Sequence, residues 1–266
     1  MKEPIRIFSD LHLGHKLSRI NAVAGLRPLI RGAGTVIFNG DTWQELAPPF
    51  RMRAEVMLAE LRTLCAEEGA ETVFLPGNHD PGWPGCGWLE LAGGRVVITH
   101  GDVLFHASSP WKREILTARE RVAEIWSAHP AADHDPVQRH LVARAIASEL
   151  CSVEYPLGRR LVQRAWDAAT PPHRALWMLY AWITQASAAA RFCETYFPAA
   201  KFLVIGHFHH RGCWRRNGRV IINTGSFVVP GRAGWVEYEK GRLRHGIIDE
   251  PTDECRPGRQ LGDWDV

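Results

Sequence analysis

Over the first hundred residues, short runs of β-branched and aromatic residues alternate with longer stretches of helical period. Ile5-Arg6-Ile7-Phe8, Val36-Ile37-Phe38, Thr72-Val73-Phe74-Leu75 and Arg95-Val96-Val97-Ile98-Thr99 read as strands. Between them, the spaced apolar residues from Leu17 to Leu29 predict a helix closed by Arg31-Gly32-Ala33-Gly34. Arg53 to Cys65 sets Val56, Met57, Leu58, Leu61, Leu64 and Cys65 at helical spacing, which predicts a second. This is β-α-β patterning, and it predicts an α/β fold with a parallel sheet.

From Phe105 to Pro198 the β-type runs disappear. Ser109-Pro110 is a helix start signal, with Ser109 as N-cap and Trp111, Ile115, Val122, Ile125 and Trp126 on one face. Asp135-Pro136 repeats the device before Val137, Leu141, Val142, Ala145, Ile146 and Leu150. A third helix is predicted over Arg159 to Ala168. A fourth, Arg174 to Phe192, is apolar around most of its circumference and is expected to be buried by the others. Strand patterning returns at Lys201–Ile205 and Val220–Asn223, and Trp235–Tyr238 pairs with Leu243–Ile248 across Glu239-Lys240-Gly241-Arg242. The division predicted is therefore a core of residues 1–104 and 199–249, an inserted helical cap of residues 105–198, and a loose tail of residues 250–266 that is rich in Pro, Gly and charge.

Composition narrows the function classes. At 266 residues the chain can bury a full core, and 32 Lys and Arg against 29 Asp and Glu leave a net charge of +3, too small for an extended nucleic-acid surface. The six cysteines are widely spaced without a Cys-x-x-Cys pair, and no secretory leader is visible at Met1, so a cytoplasmic location is expected. No apolar run approaches the roughly 20 residues of a membrane span. Ala175–Ile183 is too short, although peripheral membrane contact is compatible with it.

Five motifs carry the chemistry: Ser9-Asp10-Leu11-His12, Gly40-Asp41, Gly77-Asn78-His79-Asp80, Thr99-His100-Gly101-Asp102 and Gly206-His207-Phe208-His209. They follow predicted strands, and strand ends on one side of an α/β sheet converge on a crevice. Asp10, Asp41, Asn78, His12, His100, His207 and His209 form a mixed oxygen and nitrogen donor set without thiolate. Such a set suits Mn²⁺, Fe, Zn²⁺ or Co²⁺ better than Ca²⁺. Two ions about 3.5–4 Å apart need a bridging anion, for which Asp41 is the candidate. The competing explanation is a metal-free scaffold whose Asp, Asn and Gly turn the chain. It gives no reason for four histidines at the same sheet edge.

From Ile5 to Phe227, outside the cap, these motifs resemble the calcineurin-like metallophosphoesterase superfamily. The resemblance implies a four-layer α/β/β/α sandwich and a dinuclear site that hydrolyses a phosphoester or phosphoanhydride through a metal-bridging hydroxide, with Mn²⁺ the first choice of metal. It implies one ion held by Asp10, His12, Asp41 and His209 and another by Asp41, Asn78, His100 and His207. His79 would stand outside the metals near the leaving group, oriented by Asp80. The family also places an acidic residue shortly after Gly40-Asp41. Here Gln44 and Glu45 follow, so Glu45 takes the role in a shifted loop or the role is absent. His106, His210 and His15 lie close to motifs, where an extra histidine is more often a hydrogen-bonding loop residue.

The cap is where substrate choice is expected, for a phosphorylated small molecule or a lipid-linked substrate. Trp111, Trp126, Trp166, Trp177 and Trp182 give it aromatic mass for a satellite core or an apolar groove. Arg159, Arg160 and Arg164 lie along one helix and, with His106, are the candidate substrate contacts. In position and composition the insertion is similar to that of the UDP-2,3-diacylglucosamine pyrophosphatases. The chain departs from them in having Gly-Asn-His-Asp rather than Gly-Asn-Arg-Asp, and Gln44-Glu45-Leu46-Ala47-Pro48 in place of an acidic, Trp-containing loop. A relative that keeps the fold only as an interaction scaffold is the alternative of another class.

Overall fold

The computed structural model describes residues 1–151, 173–250 and 254–266. Strands β1 (Ile5–Phe8), β2 (Thr35–Asn39), β3 (Glu71–Leu75), β4 (Trp88–Leu91), β5 (Val96–Thr99), β6 (Phe202–Ile205), β7 (Gly212–Arg216), β8 (Arg219–Asn223), β9 (Gly234–Glu239), β10 (Arg242–Asp249) and β11 (Arg256–Asp265) form two sheets. The first has the order β11-β10-β9-β1-β2-β3 and the second β4-β5-β6-β8-β7. Within them β1, β2 and β3 run parallel, as do β5, β6 and β8, and the added strands are antiparallel.

Among the described residues the helices are α1 (Arg27–Ile30), α2 (Pro48–Glu67), α3 (Arg113–Thr117), α4 (Arg119–Ser127), α5 (Pro136–Leu150) and α6 (His173–Tyr196). Three apolar layers hold the stack together. Ile5, Ile7, Ile37, Ile98, Val204, Ile222 and Val236 pack between the two sheets. Phe8, Val36 and Phe38 on the outer face of the first sheet meet Leu29, Met57, Leu61 and Leu64 of α1 and α2. On the far side, Val97, Leu203 and Ile221 meet Ala188, Ala189, Phe192 and Cys193 of α6. This is a four-layer α/β/β/α sandwich, because each strand turns alternate residues to opposite faces and both faces of both sheets are apolar. Ile115, Val122, Ile125, Val142 and Ile146 make a separate small core that joins α3, α4 and α5.

Several elements differ from the sequence expectation. The helix predicted from Leu17 to Leu29 is reduced to a 3₁₀ turn at Val23–Leu26 and the four residues of α1. Pro28 lacks the N–H that a longer helix needs and is tolerated only in the first turn of α1, while Ser18 and Arg19 pair instead with the backbone at Val228 and Phe227. Ser109-Pro110 does not start a helix: Ser108 has φ 56°, and α3 begins only at Arg113. Asp135 does cap α5, accepting from the Val137 N–H at 2.8 Å.

The stretch expected as a loose tail contains β11, which extends the first sheet by pairing with β10. Composition missed it because its anchor is Trp264, whose ring stacks on His245 at 5.4 Å and lies 5.9 Å from Phe202. The fourth cap helix is buried over only part of its length. Ala181, Gln185, Ala186, Ala188, Ala189, Ala190, Phe192 and Cys193 pack inward, whereas Leu176, Trp177, Leu179, Tyr180 and Ile183 are exposed. The third predicted cap helix, with Arg159, Arg160, Arg164 and Trp166, lies outside the described residues. No helix among the described residues is long and apolar enough to cross a membrane.

Candidate metal centre

The parallel strands of both sheets end at one edge, and the loops that leave them carry the motif residues. Asp10 and His12 follow β1, Asp41 follows β2, Asn78 and His79 follow β3, His100 follows β5, and His207 and His209 follow β6. The loops continue the pairing beyond the strands: the Asp10 N–H donates to the Gly40 carbonyl, His12 N–H to Asp41, and Gly206 N–H to His100. Asp10, His12, Asp41, His207 and His209 all have φ between 48° and 67°. A left-handed conformation at five non-glycine residues of one site costs of order 1–3 kcal/mol at each, and persists only where the surroundings enforce it. A Cβ at Gly40 would collide with the His100 ring, and one at Gly206 with the Asp10 carboxylate, so those glycines permit the approach of loops from different sheets.

Two donor groups result, Asp10, His12, Asp41 and His209, and Asp41, His100 and His207, each within 4.8 Å, with Asp41 common to both. Asp41 Oδ2 lies 3.6 Å from His12 Nε2 and 3.4 Å from His100 Nε2, while its Oδ1 accepts the His79 N–H at 2.7 Å. A single carboxylate oxygen therefore faces both groups. His209 Nε2 sits 3.3 Å from Asp10 Oδ1, and Asp10 also accepts the His207 N–H.

The donor set fits a pair of cations. Asn78 Oδ1, His100 Nε2 and His207 Nδ1 are buried polar atoms that make no hydrogen bond, and they belong to three of the residues that the resemblance implies for the second ion. An orphaned buried polar atom costs about 1–3 kcal/mol. His100 and His207 share a donor group with Asp41, and Asn78 lines the same crevice, so these are atoms that a cation would satisfy. The outer nitrogen of each ring is held: His100 Nδ1 donates to the Asn39 carbonyl at 2.9 Å, and His207 Nε2 lies 3.3 Å from the Ser108 carbonyl. That fixes the rings as metal-binding histidines are fixed.

Charge tells the same story. Burial pushes the Asp10 and Asp41 carboxyls up, but the surrounding histidines outweigh it and hold both below the usual carboxylate range. Burial opposes a charge on His100, yet Asp41 raises it well above the ordinary histidine value, while burial and His100 drive His207 down to about 3. Two fully buried carboxylates demand positive charge at this point.

The structure places Asp80 differently from expectation. Its Oδ1 accepts from the backbone N–H of Asp41 and Gly77, and its Oδ2 from Thr42, Trp43 and the Trp83 indole, at 2.7 to 3.4 Å. It staples the second and third motif loops together and does not touch the His79 ring. Burial, then the Asp41 charge, pushes its carboxyl up to about 8. The side chain on the His79 ring is Gln44, with Oε1 at 3.2 Å from Nδ1. Glu45 turns away to accept the Gly82 N–H. His79 is held well below the ordinary histidine range, by burial first and then by Lys112, whose Nζ is 3.3 Å from His79 Nε2. Lys112 is only 4% exposed and enters from the cap. Sequence reasoning missed it and Gln44, because neither sits in a motif position that names its role.

The crevice over these residues has a volume of about 870 Å³. Lys112, Arg174, Arg211 and Arg232 line it together with His15 and His210. His106 does not: it is exposed and stacks on Trp126 at 4.2 Å, where the first cap turn folds back. A buried pair of donor groups sharing a carboxylate, at the strand ends of an α/β/β/α sandwich, completes the pattern. The arrangement is the one that the sequence resemblance implies.

No family model matches the sequence, and no curated protein does. Among solved structures, the chain is similar to a Vps29 single mutant from Entamoeba histolytica, at 12% identity over 97% of this chain and 99% of that one, with a TM-score of 0.46. It is similar to a dimetal phosphatase from Danio rerio, at 12% identity over 97% and 98%, TM-score 0.46. It is also similar to a cold-active protein-tyrosine phosphatase of a psychrophilic Shewanella, at 13% identity over 94% and 79%, TM-score 0.46. At such identities a likeness speaks to architecture at most, so the chemistry rests on the side chains themselves.

Proposed function

We propose that this protein is a dinuclear-metal-dependent phosphohydrolase acting on a phosphoester or phosphoanhydride. The observation that carries the proposal is the Asp41 carboxylate shared by two buried donor groups, one with Asp10, His12 and His209 and one with His100 and His207, with the Asn78 oxygen buried without a hydrogen bond in the same crevice. Two divalent cations, when bound, polarise phosphoryl oxygens and lower the pKa of coordinated water. The chain's own groups supply the rest. Lys112, Arg174, Arg211 and Arg232 attract the phosphate and orient it, guanidinium groups suiting phosphate oxygens in pairs. His79, neutral and just outside the donor groups, is placed to hand a proton to the leaving oxygen.

The test is hydrolysis of generic aryl phosphate mono- and diesters with Mn²⁺ and with chelator. Turnover is expected only with metal, and equal, negligible rates in both would favour the interaction-scaffold alternative. Asp41→Ala is expected to abolish both metal binding by calorimetry and turnover. His79→Ala should keep the metal and lose about 10² to 10⁴ in rate. Equal metal loss in the two variants would refute the division of roles.

One observation favours a substrate with an apolar portion. The first half of α6 exposes Leu176, Trp177, Leu179, Tyr180 and Ile183, and Met178 and Trp182 of the same half line the crevice. A contiguous apolar surface beside a phosphate site suits an amphiphile such as a lipid-linked phosphate. A kcat/KM for an acylated phosphodiester at least about tenfold above that of its deacylated analogue is expected. Preference for the soluble compound would remove this second reading.

A further inference from the structure

A line of hydrogen bonds joins the cap to the donor groups through Gln44. Lys112 Nζ lies 3.3 Å from His79 Nε2, His79 Nδ1 lies 3.2 Å from Gln44 Oε1, and Gln44 Nε2 lies 2.7 Å from His12 Nδ1. His12 Nε2 then faces Asp10 Oδ1 at 3.8 Å and Asp41 Oδ2 at 3.6 Å. Gln44 is fully buried at the middle of this line.

Every bond along this line points the same way. An ammonium only donates, so His79 Nε2 accepts and a neutral His79 carries its proton on Nδ1, which donates to the Gln44 oxygen. The amide N–H₂ donates to His12 Nδ1, which leaves the His12 proton on Nε2, 3.1 Å from His209 Nε2 and close to both carboxylates. This is a metal-free arrangement, because a histidine nitrogen that carries a proton has no lone pair for a cation.

Holding a cation beside Asp10 and Asp41 requires the opposite tautomer of His12, with the proton on Nδ1 and a free pair on Nε2. That proton needs an acceptor, and the only polar side chain at His12 Nδ1 among the described contacts is Gln44. The amide must turn its oxygen to His12, which brings its N–H₂ to His79 Nδ1. His79 Nδ1 then accepts, and its proton moves to Nε2, which gives up the bond from Lys112 and leaves that ammonium to the crevice it lines. Each ring keeps one proton throughout, exchanged from one nitrogen to the other through water, so no net charge changes.

We infer that Gln44 is a positioning residue that couples metal binding at His12 to the tautomer of His79, so that the metal-loaded protein presents an N–H at His79 Nε2 to the leaving group and the metal-free protein does not. The inference rests on the metal-centred part of the proposed function. An amide is needed because it combines donor and acceptor on one side chain. A carboxylate accepts from both rings, and a hydrocarbon from neither.

Nitrogen-15 spectra of histidine-labelled protein test this, with diamagnetic Zn²⁺ as the probe, calorimetry to count bound Zn²⁺, and signals assigned through His12→Gln and His79→Gln. In the unaltered protein, His79 is expected to change from Nδ1–H to Nε2–H on saturation with Zn²⁺. In Gln44→Glu it should remain Nδ1–H with Zn²⁺ bound, and kcat should fall at least about tenfold with KM little changed. In Gln44→Leu the change should also vanish. Zn²⁺ bound with His79 in one tautomer throughout overturns the coupling and leaves the phosphohydrolase proposal standing, as does a tautomer change that survives in Gln44→Glu. Failure of Zn²⁺ to bind overturns both. The comparison within the unaltered protein decides the matter even where a variant does not fold.

Discussion

Asp80 gathers five N–H groups from two loops and a tryptophan, which makes it a fastener of the site. Its Oδ1 holds the backbone of Asp41, and Asp41 in turn accepts the His79 N–H, so the carboxylate common to both donor groups is fixed from behind. Removing the acceptor leaves several buried donors unpaired, at about 1–3 kcal/mol each. Asp80→Ala is therefore expected to destabilise the metal-free protein by at least about 3 kcal/mol in urea unfolding, and to weaken Zn²⁺ binding as well. A variant with unchanged stability and only slower turnover would return Asp80 to the role of orienting His79. The same scale shows why Asp10, His12, Asp41, His207 and His209 accept left-handed backbone: each turns the chain two or four residues past its strand, at the common edge.

Among the elements, α5 is tied to the second sheet by one buried ring. His140 Nδ1 donates to the Pro136 carbonyl at 2.7 Å, and its Nε2 lies 3.0 Å from Thr99 Oγ1, one residue before His100. Burial lowers its pKa to about 4 from an ordinary 6.5. The folded value lies below the unfolded one, so the neutral form's stability is fully present above about pH 6.5 and is lost as pH falls toward 4. Over that window His140 accounts for a loss of about 3 kcal/mol. Urea unfolding at pH 7 and pH 4.5 should show His140→Gln losing correspondingly less than the parent on acidification. Equal losses would mean that His140 is not held neutral by this packing. The amphipathic split along α6 has a related logic, since only its later part has a sheet face to cover.

For the whole molecule, β11 determines where the first sheet ends. It covers the edge of β10 that an unattached tail would leave open for pairing with other chains. Trp264 anchors it against His245 and Phe202 at the rim of the core between the sheets. Trp264→Ala should cost about 2 kcal/mol, less than for a fully buried tryptophan, and promote self-association on size-exclusion chromatography. No change in either would show that the strand contributes little.

Local sequence determined the strands that carry Asp10, Asp41, Asn78, His100 and His207, and the expectation that their ends meet. Alternation and β-branched runs are short-range signals, and every parallel strand ends on the same side. Tertiary structure alone decided which way each polar side chain faces. It turned Asp80 to the backbone and Gln44 to the two histidine rings, brought Lys112 down from the cap, and sent His106 away to Trp126. It also made a strand of residues 256–265 and left half of α6 exposed. These outcomes depend on partners distant in sequence, from Gln44 to His12, from Lys112 to His79 and from Trp264 to Phe202, and no window of local periodicity contains both members of such a pair.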